Sequence, residues 1–267
     1  MGGWVATATG INEAGQVVGR FYTTVPARPP TEHAFITGPN GIGVTDLGTL
    51  DRYGSGYSIN NHGQIAGNYE GDVFITGPNG MGFTRITEGR FAHDVNDSGQ
   101  VVGISDHLAF ITGPNGVGFT DLGTLGGISS SAHGINNSGQ VVGKSTTAEG
   151  VQHAFITGPN GLGMRDLDTP GGFGSVATDI NEAGQVVGYF VAADGSIHAF
   201  FTGADGVGMT DLNSLVSLPG PLLSYAPIRI NNHGQLLLSA VPEPQTYAML
   251  FAGLCLLGFV SRRFKFA

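Results

Sequence analysis

A short motif, I-N-x-x-G-Q, recurs six times along the chain, and this repetition constrains the fold more than any other feature. The copies begin at Ile11, Ile59, Val95, Ile135, Ile180 and Ile230. An apolar run follows each copy, and neighbouring copies begin 36 to 50 residues apart. Self-similarity at such a period is typical of proteins in which each repeat is one supersecondary unit that stacks on its neighbours. The chain is therefore predicted to be a repeat protein.

Two further pieces, H-A-F-I-T-G-P-N-G and T-D-L-G-T-L, lie between the copies in a fixed order. The first piece occurs at His33, His153 and His198, with variants that end in Phe74 and Phe110. The second occurs around Asp46, Asp121, Asp166 and Asp211, and it is degraded at residues 84–87. Each repeat thus contains four short apolar runs separated by turn residues.

The residues between the apolar runs favour tight turns. In residues 60–63 and the five equivalent segments, Asn comes first and Gly fourth, which is the preferred occupancy of a type I turn. In residues 38–41 and their relatives, Pro fixes one backbone dihedral and Asn-Gly tolerates positive φ. Both segments predict hairpins, and the runs rich in Val, Ile, Phe and Thr between them predict strands.

Four antiparallel strands in about 44 residues match the blade of a β-propeller. The predicted fold class is all-β: residues 1–240 form a β-propeller of five to six four-stranded blades, and one short hydrophobic helix follows near the C-terminus. A right-handed parallel β-helix is the alternative architecture. Two hairpins in each repeat fit an antiparallel meander better than stacked parallel rungs.

Composition excludes several classes of protein. Glycine accounts for 46 of 267 residues without a three-residue period, which excludes collagen. Only 12% of residues are charged while 40% are hydrophobic, which opposes intrinsic disorder. A net charge of −9 leaves no basic surface for phosphates, so no nucleic-acid partner is predicted. The single cysteine, Cys255, permits no internal disulfide.

Several polar residues recur in the repeats and are candidates for a functional site. His33, His107, His153 and His198 occupy similar places in different repeats, so we expect each ring to bond a backbone carbonyl at a strand start and not to bind zinc. The repeated aspartates either ring a central channel and bind calcium or accept backbone N–H bonds that fix a turn. The second role is favoured, because Asp-Leu-Gly supplies only one side-chain ligand. The six asparagines are predicted turn formers, and neither a metal site nor a cofactor is predicted.

Catalytic motifs are not apparent in the sequence. There is no G-x-S-x-G, and segments such as residues 41–43 follow a hairpin turn instead of opening a helix as a nucleotide-binding loop does. The chain is therefore predicted not to be an enzyme. The alternative is a secreted polysaccharide-active hydrolase or lyase with a site in the propeller channel.

Taken together, the three repeated pieces resemble the HAF family of bacterial extracellular repeats. The resemblance covers about residues 4–240. The second unit departs from the pattern, with residues 72–74 and 85–87 at the corresponding places. The resemblance implies an extracellular location and says little about the ligand.

The C-terminal segment, residues 241–267, has a different character. It contains Pro242, Glu243 and Pro244, then an apolar run over residues 247–260, then a basic cluster of Arg262, Arg263 and Lys265. The prolines keep the first part extended. A helix over the apolar run would be about 20 Å long, short for a membrane core of about 30 Å, and the basic residues would stay cytoplasmic.

This layout resembles the PEP-CTERM sorting signal of Gram-negative bacteria that make exopolysaccharide. The resemblance implies recognition of Pro242, Glu243 and Pro244 by an exosortase, a membrane cysteine peptidase that removes the helix. We therefore expect an exported protein that starts as an inner-membrane-anchored precursor and reaches the cell surface or matrix. There it would be a binding or structural module for exopolysaccharide or a surface protein.

The N-terminus raises a further expectation. An exported protein needs a signal peptide with a basic region and an apolar stretch, yet Met1 to Trp4 lead directly into repeat sequence. The segments 4–19 and 230–240 each carry only the I-N-x-x-G-Q half of a repeat. We expect that Met1 is not the natural start and that the opening repeat has lost its H-A-F and T-D-L strands.

Overall fold

A computed structural model describes residues 6–23, 31–47, 54–169, 173–214 and 229–237. These residues form strands joined by turns, together with single turns of 3-10 helix. None of these described segments contains a helix with the length and apolar content needed to cross a bilayer. The predicted C-terminal helix and the sorting segment at 241–267 lie outside the described residues.

Five four-stranded sheets follow one another along the chain, each built from four consecutive strands. The first contains β1 (Ala6–Ile11), β2 (Val17–Thr23), β3 (Thr31–Thr37) and β4 (Val44–Asp46). The second contains β5 (Gly54–Ile59), β6 (Ile65–Tyr69), β7 (Asp72–Ile75) and β8 (Thr84–Ile86). The third contains β9 (Phe91–Val95), β10 (Val101–Ser105), β11 (Leu108–Thr112) and β12 (Phe119–Asp121).

The fourth and fifth sheets repeat this order. The fourth contains β13 (Gly126–Ile135), β14 (Val141–Thr147), β15 (Gln152–Ile156) and β16 (Arg165–Asp166). The fifth contains β17 (Ser175–Ile180), β18 (Val186–Val191), β19 (Ile197–Thr202) and β20 (Met209–Asp211). In a sixth sheet the described residues supply two strands, β21 (Arg229–Ile230) and β22 (Leu236–Leu237).

The predicted all-β meander is confirmed. All pairs of these strands are antiparallel, which contradicts the parallel β-helix. The I-N-x-x-G-Q segment connects the first and second strands of each sheet. The G-P-N-G segment, or G-A-D-G in the fifth sheet, connects the third and fourth strands through a 3-10 turn.

The prediction that the opening repeat has lost its H-A-F and T-D-L strands is wrong. Strand β2 pairs with β3, with Val18 opposite Ile36, so the H-A-F strand that follows belongs to the same sheet. The first sheet is therefore complete, and the half repeat that stands by itself among the described residues is the last. Strands adjacent in the chain pair with each other, so the I-N-x-x-G-Q motif joins the first two strands of a sheet and not the last two.

The apolar core lies between successive sheets. One cluster joins Val142, Ile156 and Leu167 of the fourth sheet to Ile180 and Val186 of the fifth. Equivalent residues build the interfaces between the first and second, second and third, and third and fourth sheets. The first strands of neighbouring sheets also contact one another, which places them around a common axis as in a propeller.

In each complete sheet, the glycine that follows the first two residues of the second strand is required by a close approach of the first strand. In the fourth sheet, a Cβ built on Gly143 would lie 2.0 Å from the carbonyl oxygen of Ser131 on the first strand. The equivalent glycines in the other four complete sheets are equally tight. Any side chain here would push the first two strands apart.

Candidate functional site

The six I-N-x-x-G-Q turns lie at one end of the propeller, close to its central axis. In each turn the Asn Oδ1 accepts the N–H of the Gln four residues later at 2.9 to 3.0 Å. The Gly N–H donates to the Asn carbonyl at 2.9 to 3.0 Å. The glycine has positive φ, +78° at Gly139, where a Cβ would lie 2.7 Å from the backbone nitrogen of Asn160. The predicted turn-forming role of Asn is confirmed.

The same asparagine also links each sheet to the next. Its Nδ2 donates to the carbonyl oxygen of the equivalent Asn in the following sheet at 2.8 to 3.2 Å. The pairs are Asn12 to Asn60, Asn60 to Asn96, Asn96 to Asn136, Asn136 to Asn181 and Asn181 to Asn231. A second bond joins Nδ2 to the Gln Oε1 of its own turn at 2.7 to 2.8 Å.

Sequence reasoning missed this link. The available signal was the identity of the residue, because Asp or Ser can also form the turn whereas only an amide offers an acceptor and two donors together. All six copies have Asn.

The residue that follows the asparagine of each motif takes part in a second series of hydrogen bonds around the axis. At that position amides alternate with carboxylates, and their oxygens accept the N–H of the equivalent residue in the preceding sheet at 2.8 to 3.1 Å. The residues are Glu13, Asn61, Asp97, Asn137, Glu182 and Asn232. We call this series the axial ring.

The axial ring opens onto a cavity of about 320 Å³. The alternating side chains form its rim, and apolar residues at the start of each motif, such as Ile59 and Val95, also line it. Burial raises the pKa of Glu182, and the nearby charge of Asp97 adds to the effect, while the Asn137 N–H bond opposes it. The cavity offers many oxygen acceptors and a negative potential.

An outer ring of aliphatic side chains lies on the same end of the sheets. The two turns of each sheet are adjacent there, since Gly41 N–H donates to the Gly15 carbonyl at 2.8 Å and the other complete sheets repeat the bond. One large aliphatic residue follows each 3-10 turn and is 66 to 76% exposed. The outer ring consists of Ile42, Met81, Val117, Leu162 and Val207.

Further along the channel, the first strands carry β-bulges. In three sheets the bulged residue bonds to the backbone of the next sheet. Thr9 Oγ1 donates to the Gly56 carbonyl at 2.7 Å. Nδ1 of His93 lies 2.6 Å from the Ala132 carbonyl oxygen, and Nδ1 of His133 lies 2.8 Å from that of Ala177. Burial lowers the pKa of His93, and it lowers that of His133 to about 4. The neutral rings therefore donate from Nδ1. They line a second cavity of about 230 Å³ with Thr178 and Arg229.

Two half-buried aspartates, Asp94 and Asp179, lie next to these bulges and also connect sheets. Asp94 accepts bonds from Ser58 Oγ at 2.6 Å and from Ile135 N at 3.1 Å, so it contacts both neighbouring sheets. Asp179 accepts the Ile230 N–H at 2.9 Å. Burial raises the pKa of Asp94, and it raises that of Asp179 to about 6, although Arg229 acts in the opposite direction.

The histidines singled out from the sequence lie elsewhere and have different partners. His33, His153 and His198 each place Nδ1 2.6 to 3.0 Å from a carboxylate oxygen, those of Asp46, Asp166 and Asp211. The predicted bond to a backbone carbonyl was therefore wrong for these three rings. It is His93 and His133, which no repeat pattern marked, that make such bonds. The fourth aspartate, Asp121, accepts from Ser105 Oγ at 3.2 Å.

The paired aspartates join the third and fourth strands of one sheet. Asp166 also accepts the N–H of Asp168 at 2.9 Å, which is the turn-fixing role predicted for it. Because the pairs occur in three separate sheets, they do not converge on one site. The sorting residues Pro242, Glu243 and Pro244 and the basic cluster Arg262, Arg263 and Lys265 lie outside the described residues.

Comparison with known families identifies one segment of the chain. Residues 240–263 match the PEP-CTERM protein-sorting motif. The chain therefore carries the sorting signal of an exported protein. No curated protein is significantly similar in sequence to the chain.

Solved structures share the architecture at low sequence identity. The β-propeller domain of the Trilobed protease from Pyrococcus furiosus has a TM-score of 0.57 at 12% identity, over 89% of this chain and 80% of that one. TolB from Agrobacterium tumefaciens has 0.52 at 13%, over 78% and 80% of the two chains. TolB from Acinetobacter baumannii has 0.55 at 12%, over 86% of this chain and 58% of that one. These similarities indicate a propeller-type fold and nothing about activity.

Proposed function

We propose that this protein is an exported component of the bacterial cell surface or extracellular matrix, that an exosortase processes it, and that its repeat domain is a binding module. The PEP-CTERM match at residues 240–263 is the observation that carries the proposal. The resemblance of the repeats to the HAF extracellular family supports the same location. In this proposal the apolar run at 247–260 anchors the precursor in the inner membrane, with Arg262, Arg263 and Lys265 on the cytoplasmic side.

The binding surface we propose is the end of the molecule that carries the axial ring and the outer ring. The five aliphatic side chains of the outer ring are exposed at the same position in five turns. Each lies between two glycines and contributes little to the core. Exposed apolar groups around a polar cavity suit a ligand with both hydroxyl and C–H surfaces. A matrix polysaccharide has both, and it is the ligand class we propose.

We propose no catalytic step. The channel carboxylates with raised pKa values, Asp94 and Asp179, are the candidates for an acid or base in the alternative of a polysaccharide hydrolase or lyase. Each accepts one backbone N–H bond from the next sheet and one from the next residue of its own strand, which supports a structural role.

The sorting proposal is tested by changing Pro242, Glu243 and Pro244 to alanine in an exosortase-bearing host. We expect a folded repeat domain and loss of tail removal, seen as full-length precursor in membranes by immunoblot. A matched variant with alanines at 245 and 246 is expected to be processed. Normal processing of the triple variant would defeat the proposal.

The binding proposal is tested by sedimenting the protein with the host's insoluble exopolysaccharide and analysing the supernatant for oligosaccharides. We expect sedimentation without product release, and a substantial loss of sedimentation when Ile42 and Leu162 are changed to Ser. Ile128 is also a largely exposed aliphatic residue but lies at the other end of β13, so Ile128→Ser is the control. Oligosaccharide release would favour the hydrolase or lyase, and equal sedimentation of all variants would exclude the proposed surface.

A further inference from the structure

Four polar side chains from consecutive sheets line the second cavity, which has a volume of about 230 Å³. They are His93 of β9, His133 of β13, Thr178 of β17 and Arg229 of β21. We call this space the channel cavity. Its volume is below the roughly 300 to 1,000 Å³ of sites for drug-sized ligands, so it suits a small molecule or one end of a larger one.

The two histidines present hydrogen-bond acceptors to the channel cavity. Each ring donates from Nδ1 to a backbone carbonyl of the next sheet. A neutral imidazole that donates from one nitrogen carries a lone pair on the other, so Nε2 of each ring is an acceptor. Among the described residues, Nε2 of His93 and Nε2 of His133 have no hydrogen-bond partner. The ring centroids are 5.6 Å apart, so one small molecule can contact both rings.

Arg229 adds hydrogen-bond donors and a positive charge to the same cavity. Its Nη1 lies 3.9 Å from Asp179 Oδ1, which is close enough for an ion pair and too far for a hydrogen bond. Within the described part of the chain the guanidinium makes no hydrogen bond, and the side chain is 51% exposed. A guanidinium with uncommitted N–H groups binds a carboxylate through two parallel hydrogen bonds.

We propose that the channel cavity binds a sugar acid, whose carboxylate pairs with Arg229 and whose hydroxyl groups donate to Nε2 of His93 and His133. A simple carboxylate would leave both imidazole acceptors unused, and a neutral sugar would leave the guanidinium without an anion. A metal ion on the two Nε2 atoms would be repelled by the charge of Arg229. The ligand class is therefore a hydroxylated carboxylate such as a uronate, either free or at the end of an acidic polysaccharide.

This site is separate from the surface proposed for the matrix polysaccharide. The channel cavity is formed by side chains at the bulges and next to the sixth motif copy, whereas the outer ring follows the 3-10 turns. Loss of the outer-ring contacts is therefore expected to leave binding in the channel cavity unchanged, and the two proposals can fail independently.

The probe is D-glucuronate, titrated into the full 267-residue chain at pH 7 by isothermal calorimetry. We expect saturable binding at one site per chain. Glucose lacks the carboxylate and acetate lacks the hydroxyl groups, so each is expected to bind about tenfold more weakly or worse. A glucuronate oligomer is titrated in parallel. Equal or tighter binding of the oligomer supports recognition of a polysaccharide end, and binding of the monomer alone supports a free sugar acid.

Two variants test the assigned contacts. Arg229→Gln is expected to weaken glucuronate binding by about tenfold or more, because it removes the charged donors. His133→Asn is expected to weaken it about fivefold, since the amide can still donate to the Ala177 carbonyl but lacks Nε2. Arg90→Gln and His153→Asn change the same residue types outside the cavity and are the controls, with unchanged affinity expected.

Thermal melts without ligand show whether each variant is folded, and His93→Asn replaces His133→Asn if the latter is not. Absence of saturable glucuronate binding to the wild type overturns the proposal. Equal affinity for glucose would show that Arg229 is not used, and equal affinity for acetate would show a plain anion site. Either result overturns the proposal, as does wild-type affinity in the folded Arg229 and histidine variants.

Discussion

The histidines near the axis and those at the periphery behave differently although they belong to the same repeats. His93 and His133 sit on bulges of first strands and bond the backbone of the next sheet. His33, His153 and His198 sit on third strands and pair with an aspartate of the fourth strand in the same sheet. The axial contacts hold sheets together, and the peripheral contacts hold strands together.

From this difference we expect that a polar group contributes more to stability near the axis than at the periphery. Groups near the axis are shielded from water, so an unpaired partner there keeps its full desolvation cost. Groups at the periphery regain water when a partner is removed. We therefore expect the peripheral pairs, which are conspicuous in the sequence because they repeat, to contribute little to stability.

The largest effect is expected when an axial asparagine is removed. Asn136→Ala leaves four partners without their bonds: the N–H and Oε1 of Gln140, Ser138 Oγ and the Asn181 carbonyl. We expect a loss of about 3 kcal/mol in the free energy of unfolding, measured by urea titration.

Asn79→Gly is the matched control at the outer turn. Asn79 has a φ of +55°, which glycine adopts without strain, so we expect a change below about 1 kcal/mol. Equal losses for the two variants would contradict the distinction between axis and periphery.

The sequence predicted those parts of the fold that are local and repeated. Hairpins, strand number and the turn-forming asparagines all follow from short segments whose chemistry acts within a few residues. The bulged histidines could not be found in this way, because a bulge shifts the strand register. The bulge position also holds different residues in successive sheets: Thr9, Tyr57, His93, His133 and Thr178. A position that varies in chemistry while keeping its geometry leaves no sequence pattern.

Contacts between sheets were also beyond local reasoning. The bond from Asn12 to Asn60 spans 48 residues, and although the amide at this position is able to make a second contact, nothing within the turn identifies its partner. The grouping of the opening motif with the H-A-F strand that follows it depends on which strands pair. The sorting segment was found from the sequence because its signal is linear, and it matches the PEP-CTERM model at 240–263.

An intermediate effect is expected in the pH dependence of stability. His133 has a folded pKa lowered from 6.5 to about 4 by burial, with His93, Lys144 and Arg229 acting in the same direction. Its stabilising contribution is therefore complete above pH 6.5 and is lost as the pH falls through 4. We expect the wild type to lose about 2 to 3 kcal/mol more than His133→Gln between pH 7 and pH 4, measured by urea titration at each pH.

The pKa shift of Asp179 changes stability in the opposite direction, and Asp179 is present in both the wild type and the His133 variant. Its raised pKa of about 6 gives a contribution that is complete below pH 3.8 and is lost as the pH rises through 6. The difference between wild type and variant therefore isolates the histidine. His93→Gln is expected to shift the profile in the same direction, since burial lowers that pKa too. An unchanged slope in both variants would show that the rings are not shielded from water.

The smallest effect is expected at the periphery, where a double-mutant cycle on His153 and Asp166 gives the coupling energy directly. The two side chains lie 2.6 Å apart, but they remain 18 and 29% exposed, so water replaces much of what either loses. We expect a coupling energy of about 0.5 kcal/mol that decreases in high salt. A value above about 2 kcal/mol would mean that the peripheral pairs are shielded as the axial groups are. The division of the molecule into a stabilising axis and a tolerant periphery would then be wrong.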